Sequence, residues 1–262
     1  MKKGGAGMPI VETEHVFKQY KGKSRGELAQ VLNGITLKVE EGEFVAIMGP
    51  SGSGKTTLLN ILSGIDPDYS GVVRIAGNEL GDMSGNELAL FRRRNMGFVF
   101  QDYNLLDSLT LRENVLLPLV LDGQDPGEMD AAASAVLSFF ELEDLKDKYP
   151  YTVSGGQQQR TAICRAVIGR PEVVYADEPT GNLDSKSAGK VMKCFTKLNA
   201  DQGTTILMVT HDPFAASFCS RVIFIRDGEI SMEIAREGNR KEFFDMILKS
   251  LVQLGGGEND LY

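Results

Sequence analysis

Eight residues carry the most specific chemistry in the chain: Gly49-Pro50-Ser51-Gly52-Ser53-Gly54-Lys55-Thr56. They fit the pattern G-x-x-x-x-G-K-[ST], in which backbone amides cradle phosphate oxygens. Gly49, Gly52 and Gly54 let the backbone turn tightly and approach an anion closely. The amides then point inward as a nest at the positive end of the following helix. On this reading Lys55 reaches the β- and γ-phosphates of a nucleotide and the Thr56 hydroxyl binds Mg²⁺. The plain alternative is a glycine-rich turn with no ligand, and the flanks argue against it. Glu43-Phe44-Val45-Ala46-Ile47-Met48 precedes as a buried parallel strand. Thr57 to Gly64 follows as a helix that Gly64 can end.

A second apolar run, Val173-Val174-Tyr175-Ala176, ends in Asp177 and Glu178. In open α/β sheets, ligands bind at the carboxyl ends of strands. Adjacent strand residues point to opposite sides. Asp177 is therefore expected to hold Mg²⁺ while Glu178 addresses an attacking water, as base or as orienting group. The competing reading is an acidic turn that caps the next helix.

Ser154-Gly155-Gly156-Gln157-Gln158-Gln159-Arg160 opens a long helix, and Ser154 with Gln157 fits a capping box. A helix start is also an anion site. Two phosphate-binding helix starts in one chain pose a geometric question, because one nucleotide cannot obviously use both within one subunit.

The elements that must position these residues can be read around them. Residues 8 to 48 and 70 to 80 read as short strands of an antiparallel part: Ile10 to Val16, Val31-Leu32, Ile35 to Val39 and Val72 to Ile75, with a polar loop from Gly22 to Gly26 and a turn at Gly77-Asn78. Capping boxes at Ser84 and Thr110 start helices through Arg94 and Leu121. Pro126 starts another through Phe140, and Leu142 to Lys148 reads as one more short helix. Residues from about 105 to 160 are thus a helical insertion between core strands. Ser185 to Ala200 reads as a helix ended by Gly203, and Thr204 to Val209 as a buried strand with His211 just beyond it. Asp212-Pro213 is a helix start, and Asp227-Gly228 joins a hairpin. Arg240 to Val252 reads as an amphipathic terminal helix, followed by a frayed tail from Gly255.

Composition excludes several classes. The formal net charge of −8 does not invite nucleic acid. Arg92-Arg93-Arg94 is the one dense basic cluster and reads as a solvated helix end. Cys164, Cys194 and Cys219 lack metal-ligand spacing and suit packing in a reducing compartment. Met1 to Met8 lacks the apolar core of a secretory signal, and no apolar stretch approaches the ~18 residues that span a bilayer.

These motifs, in this order, resemble the ATP-binding subunit of ABC transporters over nearly the whole chain. The resemblance identifies Gly49, Pro50, Ser51, Gly52, Ser53, Gly54, Lys55 and Thr56, with Thr57, as the Walker A loop, and Val173 to Glu178 as Walker B. Ser154, Gly155, Gly156 and Gln157 match the family signature, Gln101 the Q-loop, Gly181 to Asp184 the D-loop and His211 the H-switch. Tyr20 matches the aromatic that stacks on adenine, although Phe17 stands close enough to take that part. Val153 and Cys164 depart mildly from the residues usual at those places.

The resemblance implies an α/β fold: a mostly parallel P-loop NTPase (RecA-like) core with an antiparallel β subdomain and an inserted α-helical subdomain, filling residues 8–234, with a terminal helix and tail at 235–262. It implies ATP and Mg²⁺, the metal held by Thr56, Asp177 and Gln101. Glu178, His211 and Gln101 become the catalytic set. His211 bonds the γ-phosphate, and Asp184 belongs to the D-loop. It also resolves the geometric question. Two copies pack head to tail, and the signature of one faces the ATP bound by the loop of the other. A separate integral-membrane permease is implied, with the chain on the inner face of the plasma membrane. Tyr103, Leu105, Leu106 and Leu109 would form a groove for a permease helix. Asp66, the run Gln101 to Leu106 and the run Ala176 to Asp184 resemble the group of lipoprotein-release, macrolide-export and peptide-antibiotic-resistance ATPases. Within it the stretch His211 to Ile225 and the terminal helix near Phe243-Phe244 resemble the bacitracin-type resistance ATPases most, with a lipoprotein-release or macrolide-export ATPase, or a non-transport ABC ATPase, as the alternative.

Overall fold

A computed structural model describes residues 9–21 and 28–254. The expected loop from Gly22 to Gly26 and the tail from Gly255 lie outside the described residues. In chain order the elements are β1 (Val11–Lys21), β2 (Leu28–Val39), β3 (Phe44–Met48), α1 (Lys55–Leu62), β4 (Ser70–Ile75), β5 (Asn78–Glu79), α2 (Gly85–Asn95), β6 (Met96–Val99), α3 (Leu111–Leu121), α4 (Pro126–Phe139), α5 (Gly155–Val167), β7 (Val173–Asp177), α6 (Ser185–Gln202), β8 (Thr205–Val209), α7 (Pro213–Ala216), β9 (Arg221–Arg226), β10 (Glu229–Ala235) and α8 (Arg240–Leu254). Two compact units divide the chain. One runs to Leu88 and resumes at Val209, and the other is Ala89–Met208.

In the first unit, β2, β1, β4 and β5 form an antiparallel sheet in that order. Separately, β3 lies parallel to β9, and β9 antiparallel to β10. All five residues of β3 are buried, which is why the strand reads as an unbroken apolar run rather than an alternating one. The hairpin between β9 and β10 turns on Asp227 and Gly228, both left-handed at φ 51° and 79°. α1 ends in a Schellman arrangement: Ile65 N donates to Asn60 O and Gly64 N to Ile61 O.

Two expectations shift here. The runs Val31-Leu32 and Ile35 to Val39 belong to one strand, because β2 pairs with β1 on both sides of Asn33 and Gly34 (Leu32 with Lys18, Ile35 with Val16), while Asn33 N donates to Gly228 O at 2.8 Å. The turn before β5 is made by Ala76 and Gly77 (φ 48° and 75°), and Asn78 already pairs with Ile75.

In the second unit, β6 lies parallel to β7, and β8 is the other neighbour of β7. Capping boxes hold the starts of α3 and α5 as the sequence predicts. α6 starts on Asp184 and stops at Gly203, left-handed at φ 68°. The expected helix from Leu142 to Lys148 is only a three-residue 3₁₀ turn, Glu143–Leu145. Beyond that turn, Lys146 O and Lys148 O accept from Arg112 N and Leu111 N, satisfying amides at the start of α3. Among the described residues no helix is long and apolar enough to cross a membrane.

Candidate functional site

The site residues fall into two groups, one in each unit. In the first, Gly49 leaves β3 at φ 154°, and a Cβ there would sit 2.1 Å from Ile225 O. Gly54 caps α1 at φ 100°, and its Cβ would sit 2.7 Å from Val31 O. Backbone from β9 and β2 therefore closes on the loop where no side chain fits. Lys55 opens α1 and is largely buried, with Nζ donating to Gly49 O at 2.9 Å and Pro50 O at 2.7 Å. A triphosphate would offer this ammonium charged acceptors, which bind it more strongly than neutral carbonyls. Ser53 Oγ is buried without a hydrogen-bond partner among the described residues. Such an orphan costs about 1–3 kcal/mol and is relieved by an arriving oxygen. Pro50, Ser51, Gly52 and Thr56 are exposed around the loop, and Thr57 is half-buried. A glycine loop, a buried ammonium, an orphaned hydroxyl and two helix-start threonines fit a nucleotide phosphate chain with its cation.

Tyr20, 42% exposed, stands on the end of β1. Its hydroxyl donates to Asp66 Oδ2 at 2.9 Å. Burial, and then Asp66, push its pKa up. Lys18, 3% exposed, bonds Asp66 Oδ1 at 2.8 Å and has its ammonium 4.7 Å from the Tyr20 ring centre. Burial alone would raise the Asp66 pKa, but Lys18, Tyr20 and the Asp68 amide together hold it below the usual carboxylate value. Phe17 instead packs on β2, 3.3 Å from where a Gly34 Cβ would lie. Tyr20 is tied to Asp66, whose amide donates to Asn60 O of α1 at 3.0 Å. His211 is exposed just past β8, and its neighbour Thr210 donates its amide to Ile47 O of β3 at 3.1 Å. His15 is exposed on β1 at φ 48°.

In the second unit, the strand stops at Asp177. Glu178 is not part of it: its φ is 46°, in the left-handed region. The alternation expected to separate the two carboxylates therefore does not apply. A left-handed turn separates them, closed by Gly181 N donating to Glu178 O at 3.0 Å. Asp184 caps α6 through Lys186 N (2.9 Å) and Ser187 N (3.0 Å) and accepts from Ser187 Oγ at 2.6 Å. The Ser187 hydrogen bonds lower its pKa. Ser154 caps α5 reciprocally with Gln157: Ser154 N reaches Gln157 Oε1 at 2.8 Å, and Gln157 N reaches Ser154 Oγ at 3.4 Å. Gly155 and Gly156 form the first turn, where helix amides lack partners within the helix.

Gln101 follows β6, and its side chain bonds Asn182 Oδ1 at 3.1 Å, so the residues expected as Q-loop and D-loop are joined. Two further polar residues were not expected in this cluster. Gln159 is buried under the same turns, and Arg165 donates to Tyr103 O at 2.8 Å and to Asn104 O. Gln159 carried a sequence signal. It begins the stripe Gln159, Ala162, Ile163, Val167, the buried face of α5, and a polar residue on an apolar stripe needs a partner.

A cleft of about 540 Å³ lies wholly within this unit, lined among others by Arg92, Phe98, Phe100, Leu117 and Arg165. Asn104 lines it, but Tyr103, Leu105, Leu106 and Leu109, expected to form such a groove, do not. All three arginines of the basic cluster line it. Arg93 donates to Leu121 O at 2.7 Å and Arg94 to Asp122 Oδ1 at 3.0 Å.

The family model described as ABC transporter matches residues 32–181. The chain is 51% identical over 252 residues to the ABC transporter ATP-binding protein YxdL of Bacillus subtilis (strain 168), covering 96% of this chain and 97% of that protein. It is 48% identical over 254 residues to the bacitracin export ATP-binding protein BceA of Halalkalibacterium halodurans, covering 97% of this chain and 100% of that one. Among solved structures, the dimeric post-hydrolysis state of the ATP-binding cassette MJ0796 bound to ADP and Pi superposes with a TM-score of 0.79 at 42% identity, over 87% of this chain and all of that one.

Proposed function

The chain belongs to the ABC transporter family as an ATP-binding subunit, and from that premise we propose that two copies sandwich two ATP molecules, hydrolyse them and drive a separate membrane permease that confers resistance to bacitracin-like peptides. The observation that carries the catalytic part is the pairing of two helix-start anion sites in one chain. One is the Lys55 loop, with its buried ammonium and its backbone closed on Gly49. The other is the capped start of α5 at Ser154.

Gly49 to Thr57 bind the phosphates. Lys55 gives up the Gly49 and Pro50 carbonyls for the β- and γ-phosphates, and Ser53 finds an acceptor. Tyr20 stacks on adenine. Thr56, Asp177 and Gln101 would hold Mg²⁺, which when bound neutralises charge on the phosphate oxygens. Glu178 orients a water or accepts its proton. The water oxygen bonds to the γ-phosphorus as the bridging bond to ADP breaks, and inorganic phosphate leaves. His211 donates to the γ-phosphate and keeps the attack in line. Ser154, Gly155, Gly156 and Gln157 of one copy address the γ-phosphate held by the other, with Asp184 beside the shared face.

The cleft walled by Phe98, Phe100 and the arginines is the docking place for a permease helix, which brings the subunit to the inner face of the plasma membrane. The peptide specificity is supported by the relative named for bacitracin export, matched over its full length.

Shared sites make turnover depend on association. ATPase activity of the isolated full chain is expected to rise more than linearly with protein concentration on leaving the dilute regime. Strict proportionality down to the monomer would contradict the proposal.

A further inference from the structure

Gln159 has no part in the reaction above, yet its side chain is fully buried. Its Nε2 donates to Pro179 O at 2.7 Å and to Phe100 O at 3.2 Å. Pro179 follows Glu178 directly, and Phe100 directly precedes Gln101. One amide therefore grips, from inside, the turn that presents Glu178 and the turn that presents Gln101. Its Oε1 is buried with no hydrogen-bond partner among the described residues. Two carbonyl acceptors fix which way the amide faces, since the reverse flip would set oxygen against oxygen. An apolar side chain of similar size would avoid the orphaned acceptor. What glutamine adds at this place is the pair of donors.

The same two turns are gripped again from outside. Gln101 Nε2 donates to Asn182 Oδ1 at 3.1 Å. Asn182 Nδ2 donates to Gln101 O at 3.2 Å and to Asp102 Oδ1 at 2.9 Å. A Cβ on Gly181 would lie 2.8 Å from Gln101 Nε2, so the glutamine side chain lies directly on the backbone of the other turn. Both turns hold left-handed residues other than glycine: Glu178 at φ 46°, Tyr103 at 60° and Asn104 at 49°. Such backbone persists only where its surroundings fix it.

We propose that Gln159 and Asn182 form a two-sided clamp that makes the Gln101 turn and the Glu178 turn move as one body. Gln159 is thereby a positioning residue for hydrolysis, and a displacement of the Gln101 turn is passed to the catalytic carboxylate. This rests on the roles given above to Glu178 and Gln101.

The test uses the full chain without nucleotide for amide hydrogen exchange and with ATP for kinetics. In Gln159→Met, exchange is expected to rise together in segments 100–104 and 178–182, with α6 unaffected. The kcat should fall roughly tenfold, about the size of the lost hydrogen bonds, with KM and ATP affinity held. Asn182→Ala changes an exposed position, so it keeps the test alive should Gln159→Met not fold. It is expected to loosen the same two segments. Loosening confined to one segment, or unchanged exchange and kcat in both variants, would overturn the clamp. Glu178→Gln is the control. If it retains full turnover, the assignment of Glu178 fails; if it abolishes turnover while both clamp variants behave as the parent, only the clamp fails.

Discussion

Glu178 and Lys55 mark what a single side chain decides. Glu178 stands in a left-handed turn just past β7. Glu178→Gln keeps the shape and removes the base, so turnover should fall by about 10²–10⁴-fold, the usual worth of a positioned general base. ATP binding, measured by equilibrium dialysis, should persist; unchanged turnover would remove Glu178 from the mechanism. Lys55→Ala removes charge-assisted hydrogen bonds worth about 1.5–3 kcal/mol each, so ATP affinity itself should fall at least tenfold. The place of these residues was legible because each sits in a short pattern: glycines where backbone closes on the loop, a lysine at the helix start, two acids at a strand end. Their geometry was less so. Strand alternation gave the wrong reason for the separation of Asp177 from Glu178, because nothing in the residue types announces a non-glycine left-handed turn. The tie made by Gln159 stayed hidden because its partners are backbone carbonyls far off in the chain, and Asn182 was legible as a D-loop residue but not in its pairing with Gln101.

Whole elements are fixed by their ends and by tethers between them. The capping box of α3 pairs Thr110 N with Glu113 Oε2 at 2.7 Å and Glu113 N with Thr110 Oγ1 at 3.2 Å. Thr110→Ala should cost about 1 kcal/mol and lower Tm by about 2–4 °C in calorimetry, while an unchanged Tm would deny the cap its role. Lys18 ties β1 to the stretch after α1 through Asp66. The Asp66 pKa is depressed in the folded chain. Its contribution is therefore fully present above the unfolded value near ~3.9 and is lost as pH falls through the folded value. Lys18→Met should destabilise the chain at pH 7, and urea melts should show that deficit shrinking below about pH 4. A deficit constant with pH would mean that packing, not the ion pair, is what Lys18 supplies. Elements with local signals were readable: capping boxes, the Asp227-Gly228 hairpin, the helix stop at Gly203. Elements settled by distant partners were not. β2 runs through Asn33 and Gly34 because β1 pairs with it on both sides of them, and the Leu142 to Lys148 stretch, which forms only a 3₁₀ turn, instead offers two carbonyls to the start of α3.

At the scale of the molecule, the proposed function gives one chain two half-sites that a second copy and a permease put to use. A host strain carrying only Lys55→Ala should become more sensitive to bacitracin by minimum inhibitory concentration, with macrolide sensitivity unchanged. The reverse pattern would move the protein to the macrolide-export group. The order of motifs along the chain made the cassette legible, whereas no motif in it reports the transported substrate. The central claim is that each ATP lies between the Lys55 loop of one copy and the Ser154 helix start of the other. Sedimentation velocity of Glu178→Gln with ATP tests it most directly, alone and combined with Ser154→Arg. The single variant should sediment as a dimer with ATP and as a monomer with ADP, and the double variant should bind ATP with the same affinity yet remain monomeric. A double variant that still dimerises on ATP as the single variant does would contradict the shared site.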